Sequence, residues 1–204
     1  MKVQERSLPG VFLVSAERHE DVRGHFYEAF RRDVLAEAVG HPVVIEQTNC
    51  SVTRRGGIRG IHSTNVPPGQ AKIVTCVRGA VLDMVVDLRV GSPTFGAYEV
   101  AWLDADSSSS LYISEGFGHA FLSLVDNSCV FYQCSASYMP DQEFIITPFD
   151  KRINLPWGLV EEAIVAEKYK SAPTLDEAIE RGILPTYEEC MAFRETLRNA
   201  HGAK

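Results

Sequence analysis

Short apolar or alternating runs recur between turn sequences from Val11 to about Ile146, and this repetition is the feature that most constrains the fold. Alternation of apolar and polar residues is typical of strands with one buried face, and runs this short are too brief for most helices. Gly- and Pro-rich turn sequences such as Pro67-Pro68-Gly69 separate them. The pattern predicts a mainly β sandwich or barrel. The clearest runs are Val43–Ile45, Ala71–Val77, Ala80–Leu88, Tyr98–Leu103 and Ser128–Gln133.

A few segments carry helix signals instead. One is Arg32–Val39, where apolar residues share a face and Gly40 can end the helix. Others begin at Thr174–Glu177 and Thr186–Glu189, which have the Thr-x-x-Glu pattern of a capping box. We therefore predict a small early helix and a helical C-terminal region.

The chain has the size of one domain. Its 204 residues, 45% of them hydrophobic, can build one sizeable core. No repeat or Gly/Ser linker marks a boundary between independently folding parts. We predict a single domain over residues 1–204, with a barrel at about 10–156 and a helical appendage at about 157–204.

Charge and cysteine content exclude several classes of protein. A net charge of -7 argues against a surface that binds nucleic acid polymers, because such surfaces cluster Lys and Arg. The first apolar run, Val11–Val14, is too short for a signal peptide or a membrane span, so we expect a cytoplasmic protein without a membrane partner. Five cysteines without a C-x-x-C pair predict reduced thiols, not a disulfide framework or a zinc knuckle.

Two histidines are candidates for chemistry. His62 follows Arg59, and this pairing suits an anionic substrate held beside a proton-transfer group. His119 lies in the glycine-containing segment Gly116–Phe121, where the chain can approach a ligand closely. A structural histidine and a simple turn are the competing interpretations. Because no H-x-H pair or nearby set of acidic ligands accompanies them, we predict no metal site.

A lysine and two tyrosines are further candidates. Lys72 interrupts the apolar segment Gln70–Val74, so its ammonium group either faces a cavity or marks an edge strand. Tyr132 and Tyr138 lie on either side of Cys134, and a phenol can transfer a proton, stack on a base or simply pack. The residues alone leave these alternatives open.

Several ordered motifs resemble one known family. They are Asp21–Glu28, Gln47–Ser51, Arg59–His62, Pro68–Lys72, Val86–Thr94 and Gly116–Phe121, followed by Tyr132, Tyr138–Pro140, Glu143 and Lys168. From Gly10 to about Thr174 the chain is similar to the dTDP-4-dehydrorhamnose 3,5-epimerases, which are cupin-like β-barrels. The resemblance implies a jelly-roll barrel with C-terminal helices and a homodimer. It also implies an isomerase that needs no cofactor and epimerises a dTDP-linked 4-keto-6-deoxyhexose at C3, C5 or both.

The same resemblance implies roles for individual residues. His62 would remove the proton beside the C4 ketone, Tyr132 would donate a proton on the opposite face of the ring, and Lys72 would stabilise the enolate oxygen. Tyr138 would stack on thymine. The sugar and diphosphate would be held by Arg23, Phe26, Glu28, Gln47, Asn49, Arg59, His119, Glu143 and Lys168.

One position departs from the family pattern. Many members have a Lys-Asp pair whose aspartate partners the catalytic histidine, whereas Tyr169 follows Lys168 here. Asp83 is the predicted replacement, because an isolated acid in an apolar strand is costly to bury without a partner. Tyr169 is a second candidate, since its hydroxyl could orient His62.

Two other functions also agree with these residues. Related barrels hold similar sugars, so a 3,4-ketoisomerase of a nucleotide sugar is one alternative. A barrel that binds a nucleotide sugar without turnover is the other; Tyr169 favours it, whereas the retained His62, Lys72 and Tyr132 argue against it. The departure from the usual pattern suggests a specialised deoxysugar pathway such as antibiotic biosynthesis.

Overall fold

The structure, a computed structural model, describes residues 1–158 and 163–200. Most strands lie in two largely antiparallel sheets. The first sheet has the order β1 (Lys2–Glu5), β2 (Val11–Ser15), β10 (Ser109–Ile113), β7 (Lys72–Arg78), β12 (Ser128–Cys134) and β5 (Gln47–Thr53). The second has the order β13 (Glu143–Ile145), β6 (Gly57–Thr64), β11 (Phe117–Ser123), β8 (Ala80–Asp87) and β9 (Tyr98–Asp104).

Smaller elements surround the two sheets. Strand β14 (Ile164–Val165) pairs in parallel with β6, and β3 (His19–Asp21) forms a separate hairpin with β4 (Gly24–Phe26). The helices are α1 (Arg32–Val39), α2 (Glu167–Lys170), α3 (Leu175–Glu180) and α4 (Tyr187–Asn199), with a 3₁₀ turn at Pro140–Gln142. No helix among the described residues is long and apolar enough to cross a membrane.

The central strand of the second sheet, β11, is buried on both faces. The inner face of this sheet contributes Val85 and Phe121 to one apolar cluster, which also contains Val130 of the first sheet. The outer face of the sheet packs with C-terminal residues, including Leu175 of α3, in another cluster. All residues of β11 are therefore buried, whereas burial in β12 falls mainly on alternate residues.

The predicted fold class and helices are confirmed. Two sheets pack face to face with C-terminal helices, and α1 occupies the predicted residues, with Gly40 in the left-handed conformation at its end. Both capping boxes are formed, by Thr174 at the start of α3 and by Thr186 at the start of α4. These signals are local, so the sequence carries them directly.

Three boundaries differ from the predictions. Val43–Ile45 is not a strand, because Val43 packs beside α1 and the β5 ladder begins only at Gln47. The sheets begin at Lys2 of β1, outside the predicted barrel limits. Strand β14 lies inside the predicted helical appendage, where it pairs in parallel with the first two residues of β6.

We predict that Thr186→Ala lowers the free energy of unfolding by about 1 kcal/mol, because the first turn of α4 loses a side-chain acceptor for a backbone N–H. Thr186 Oγ1 accepts from the Glu189 N–H at 3.1 Å, and the Glu189 carboxylate accepts from the Thr186 N–H at 2.9 Å. Urea denaturation measures the change. Thr196→Ala, in the last turns of the same helix, is the control; equal losses in both variants would contradict the capping role.

Candidate active site

A cavity of about 220 Å³ contains most of the predicted site residues. Strands of both sheets form its walls: β5, β7 and β12 of the first and β6 of the second. The predicted residues that line it are Asn49, Arg59, His62, Lys72, Tyr132, Tyr138, Glu143 and Tyr169. Residues more than a hundred positions apart thus meet in one place, as the resemblance requires.

His62 of β6 is a neutral imidazole at pH 7. Burial holds its pKa well below the usual value, and the neighbouring cations Lys72, Lys168 and Arg59 act in the same direction. Its Nδ1 is buried without a hydrogen-bond partner among the described residues, which leaves Nε2 as the nitrogen that faces the cavity. A neutral ring with an accessible lone pair can act as a general base.

Lys72 faces the cavity from the interior of a sheet. Its strand, β7, lies between β10 and β12, so the edge-strand interpretation is wrong. The side chain is buried, which lowers its pKa, and no carboxylate of the described residues lies within 4.0 Å of its ammonium group. A buried cation without a paired anion favours negative charge that develops nearby.

Tyr132 approaches the cavity from the first sheet, opposite His62. It lies on β12, whereas His62 lies on β6, so the two side chains reach the cavity from different walls. Its hydroxyl is 3.1 Å from Ser51 Oγ. Burial raises the pKa of Tyr132, which keeps the phenol protonated and able to donate.

Asp83 pairs with His119 and not with His62. Asp83 Oδ2 is 2.8 Å from His119 Nε2, and both side chains are fully buried. The predicted direct contact between Asp83 and His62 is therefore wrong. The reason is the strand order, since β11 lies between β8, which carries Asp83, and β6, which carries His62.

His119 lies directly behind His62. The two residues are cross-strand partners, and their rings meet edge to face with 5.7 Å between centroids. His119 is 0% exposed and does not line the cavity, so the structure does not bring it to the position expected of a substrate-binding residue.

Tyr169 occupies the wall of the cavity but does not orient His62. It lies on α2, it is buried, and Lys168 Nζ is 4.8 Å from the centre of its ring. His62 Nδ1 has no partner among the described residues, so the predicted hydrogen bond from Tyr169 is not present. Burial raises the pKa of Tyr169, and its hydroxyl therefore remains neutral.

Several polar side chains predicted to bind substrate lie in or beside the cavity wall. Gln47 Nε2 donates to Asn49 Oδ1 at 2.8 Å, and Gln47 Oε1 accepts from the Tyr138 N–H at 2.7 Å. The Tyr138 ring is 60% exposed and can stack on a ligand. Lys168 Nζ lies 3.9 Å from Glu143 Oε1. Gln47 and Lys168 lie beside cavity residues but do not line the cavity themselves.

Three predicted substrate-binding residues lie elsewhere. Arg23 and Phe26 belong to the β3–β4 hairpin, which pairs with no other described strand, and Glu28 follows it. Their side chains are exposed, and Arg23 bonds Asp21 of the same hairpin. Arg23, Phe26 and Glu28 therefore do not line the cavity of their own chain.

Some residues of the cavity wall have no predicted role. Ser51, Gln70 and Cys134 line the wall without having been assigned a role. A signal was available for Ser51 and Cys134, because each lies two positions from Asn49 or Tyr132 in the same strand, where side chains share one face. Gln70 lies just before β7, where this periodicity gives no signal. Among the described residues, the cavity included, no group of three or more His, Cys, Asp or Glu side chains is placed to hold a metal ion.

Comparison with known proteins gives consistent matches. Residues 5–177 match the family described as dTDP-4-dehydrorhamnose 3,5-epimerase. A relative of that name from Mycolicibacterium smegmatis is 48% identical, with 97% of this chain and 98% of the relative covered. A dTDP-4-dehydro-6-deoxyglucose 3-epimerase from a Streptomyces species is 42% identical, with 89% and 93% covered.

Solved structures agree with these matches. The rmlC epimerase of Mycobacterium tuberculosis has a TM-score of 0.94 and 40% identity, with 97% of this chain and 100% of that chain covered. A 3'-monoepimerase from Streptomyces bikiniensis in complex with dTDP-quinovose has a TM-score of 0.92 and 40% identity, with 96% and 98% covered. The matched family, the identities and the shared fold agree with the cavity geometry: the chain belongs to the dTDP-4-dehydrorhamnose 3,5-epimerase family.

Proposed function

We propose that the chain epimerises a dTDP-linked 4-keto-6-deoxyhexose at C3, C5 or both. The observation that carries the proposal is the pair formed by a neutral His62 and a protonated Tyr132 on different walls of one cavity. Inversion at carbon requires a proton to leave one face and another to arrive on the opposite face. Relatives named as 3,5-epimerases and 3-epimerases support the same reaction class.

The reaction is a proton exchange through an enolate. His62 takes the hydrogen from the carbon beside the ketone, and the electron pair of that C–H bond moves into the carbonyl to form the enolate. The Lys72 ammonium stabilises the negative oxygen, an interaction that strengthens only as the charge develops. Tyr132 then donates its proton to the opposite face of the same carbon.

Substrate recognition follows from the groups around this centre. The cations Arg59 and Lys168 suit the diphosphate, although the chain as a whole is acidic. The exposed Tyr138 ring suits the thymine base. The solved relative that binds dTDP-quinovose supports a dTDP-sugar as the ligand.

We also propose a homodimer whose subunits exchange the β3–β4 hairpin. Arg23, Phe26 and Glu28 match substrate-binding positions of the family, yet they lie on exposed chain that does not line the cavity of their own subunit. A second copy would bring these side chains to the cavity mouth. The open edge of β5, which carries Asn49 of the cavity wall, offers unpaired backbone groups for such a contact.

The biological setting is a further proposal. We expect the enzyme to act in the cytoplasm on a specialised deoxysugar. A structural relative, a 4-keto-6-deoxy sugar epimerase from the novobiocin gene cluster of Streptomyces spheroides, has a TM-score of 0.91 and 43% identity.

We predict that Tyr132→Phe separates exchange from inversion. His62 still forms the enolate and can return a deuteron to the same face, so substrate in deuterated water gains label without a change of configuration. ¹H NMR of dTDP-4-keto-6-deoxyglucose measures both events.

His62→Asn is the paired variant. This variant should lower the exchange of substrate hydrogen by on the order of a hundredfold or more while substrate binding is largely kept.

Three outcomes would contradict the proposed reaction. Inversion by Tyr132→Phe at the normal rate would exclude Tyr132 as the acid. No exchange in the native protein would favour the non-catalytic binding barrel, and a carbonyl moved to C3 would identify a ketoisomerase.

We predict that Arg23→Ala and His62→Asn complement each other when subunits are mixed. In the hybrid dimer, one site combines an intact His62 with an intact hairpin from the other subunit. Equal mixing gives about half hybrid dimers, so roughly a quarter of the sites should be active. Each variant alone should be much weaker. Activity that never exceeds the average of the two parents, or a monomer at micromolar concentration by light scattering, would contradict the exchanged hairpin.

A further inference from the structure

Asp83, His119 and His62 form a row that runs from the core to the cavity. Asp83 Oδ2 is 2.8 Å from His119 Nε2, and the His119 ring meets the His62 ring edge to face at 5.7 Å between centroids, with an interplanar angle of 88°. Three buried atoms of the row lack hydrogen-bond partners among the described residues: Asp83 Oδ1, His119 Nδ1 and His62 Nδ1. Unpaired buried polar atoms are costly, and they cluster here beside the proposed base.

We propose that Asp83 and His119 are a positioning pair that acts on His62 and takes the place of the carboxylate missing at Tyr169. This inference rests on the proposed epimerase function, because it assigns the pair to the base of that reaction. Asp83 and His119 do not line the cavity, so both act through His62.

The first action of the pair is to fix ring orientation and tautomer. A carboxylate accepts a hydrogen bond, so Asp83 holds the ring hydrogen of His119 on Nε2. With that hydrogen on Nε2, Nδ1 is the lone-pair nitrogen of the ring that packs edge to face against His62. This environment favours the His62 tautomer with hydrogen on Nδ1, which leaves the Nε2 lone pair for the substrate.

The second action is electrostatic. When His62 takes a proton it becomes a cation. The groups beside it that lower its pKa are Lys72, His119, Lys168 and Arg59, and none of them supplies negative charge. Glu143 is the acid in the cavity wall, where it lies near Lys168. Burial raises the pKa of the Asp83 carboxyl, whereas its contact with His119 acts in the opposite direction and favours the ionised form. The ionised carboxylate behind His119 places negative charge in the core beside the base, where low dielectric strengthens its effect.

The substitution at Tyr169 explains why this chain depends on the pair. The hydroxyl of Tyr169 is neutral and does not bond His62, so α2 supplies no negative partner to the base. The His119 ring also lies 6.0 Å from the Tyr132 ring, edge to face. One buried ring therefore supports both the proposed base and the proposed acid.

The test compares four proteins: the native chain, Asp83→Asn, Tyr169→Asp, and the double variant. In the native background, Asp83→Asn should lower kcat about tenfold or more with little change in KM. Removing the negative charge weakens proton binding by His62, so the acidic limb of the kcat–pH profile should move to lower pH. With Asp at position 169, a carboxylate is restored, and Asp83→Asn should then cost less than about threefold.

Controls separate positioning from damage to the fold. Glu99→Gln removes a carboxyl from the same sheet, where Glu99 pairs with Arg6 outside the cavity, and should leave the pH profile unchanged. Equal losses from Asp83→Asn in both backgrounds, or an unmoved acidic limb, would overturn the proposal.

Should Asp83→Asn fail to fold, ¹⁵N NMR of the native histidines gives an independent answer. Hydrogen on Nε2 of His119 and on Nδ1 of neutral His62 would support the pair, and the opposite tautomers would overturn it. If the native chain shows these tautomers but no exchange of substrate hydrogen, the proposed function fails while the geometry of the pair stands.

Discussion

The hydrogen bond between Asp83 and His119 is the interaction on which the rest of the site depends. Both side chains are fully buried, and leaving either without the other would strand a polar group in an apolar core. The bond fixes a ring that touches His62 in its own sheet and Tyr132 in the facing sheet. The two walls of the cavity are thus connected through one buried imidazole.

Burial sets the protonation state of each proposed catalytic group. It disfavours the charged form of His62 and of Tyr132, so one remains an acceptor and the other a donor at neutral pH. Lys72 remains close to them without an anion in contact within the described chain. The cavity therefore combines the proposed base, the proposed acid and the proposed site for the enolate oxygen, and the ketone of the proposed substrate can delocalise the carbanion.

Local and periodic signals predicted much of the fold. Capping residues such as Thr174 placed the helices correctly because each cap involves residues only three positions apart. The orientation of Lys72 could not be predicted, because it depends on β7 having neighbours on both sides. The partner of Asp83 was missed for a similar reason: strand order places His119 between Asp83 and His62, and one sequence does not reveal strand order. The roles of His62, Lys72 and Tyr132 came from resemblance and remain predictions. The geometry overturned the direct contacts of Asp83 and Tyr169 with His62.

The fate of the hydrogen at the inverted carbon tests the central claim most directly. Native protein would be incubated with dTDP-4-keto-6-deoxyglucose in deuterated water, and the product analysed by ¹H NMR and mass spectrometry. Acid–base inversion predicts that each inverted carbon carries solvent deuterium, because the arriving proton comes from the exchangeable Tyr132 hydroxyl and not from the substrate. Product that is inverted at C3 or C5 but keeps its original hydrogen there would contradict the account.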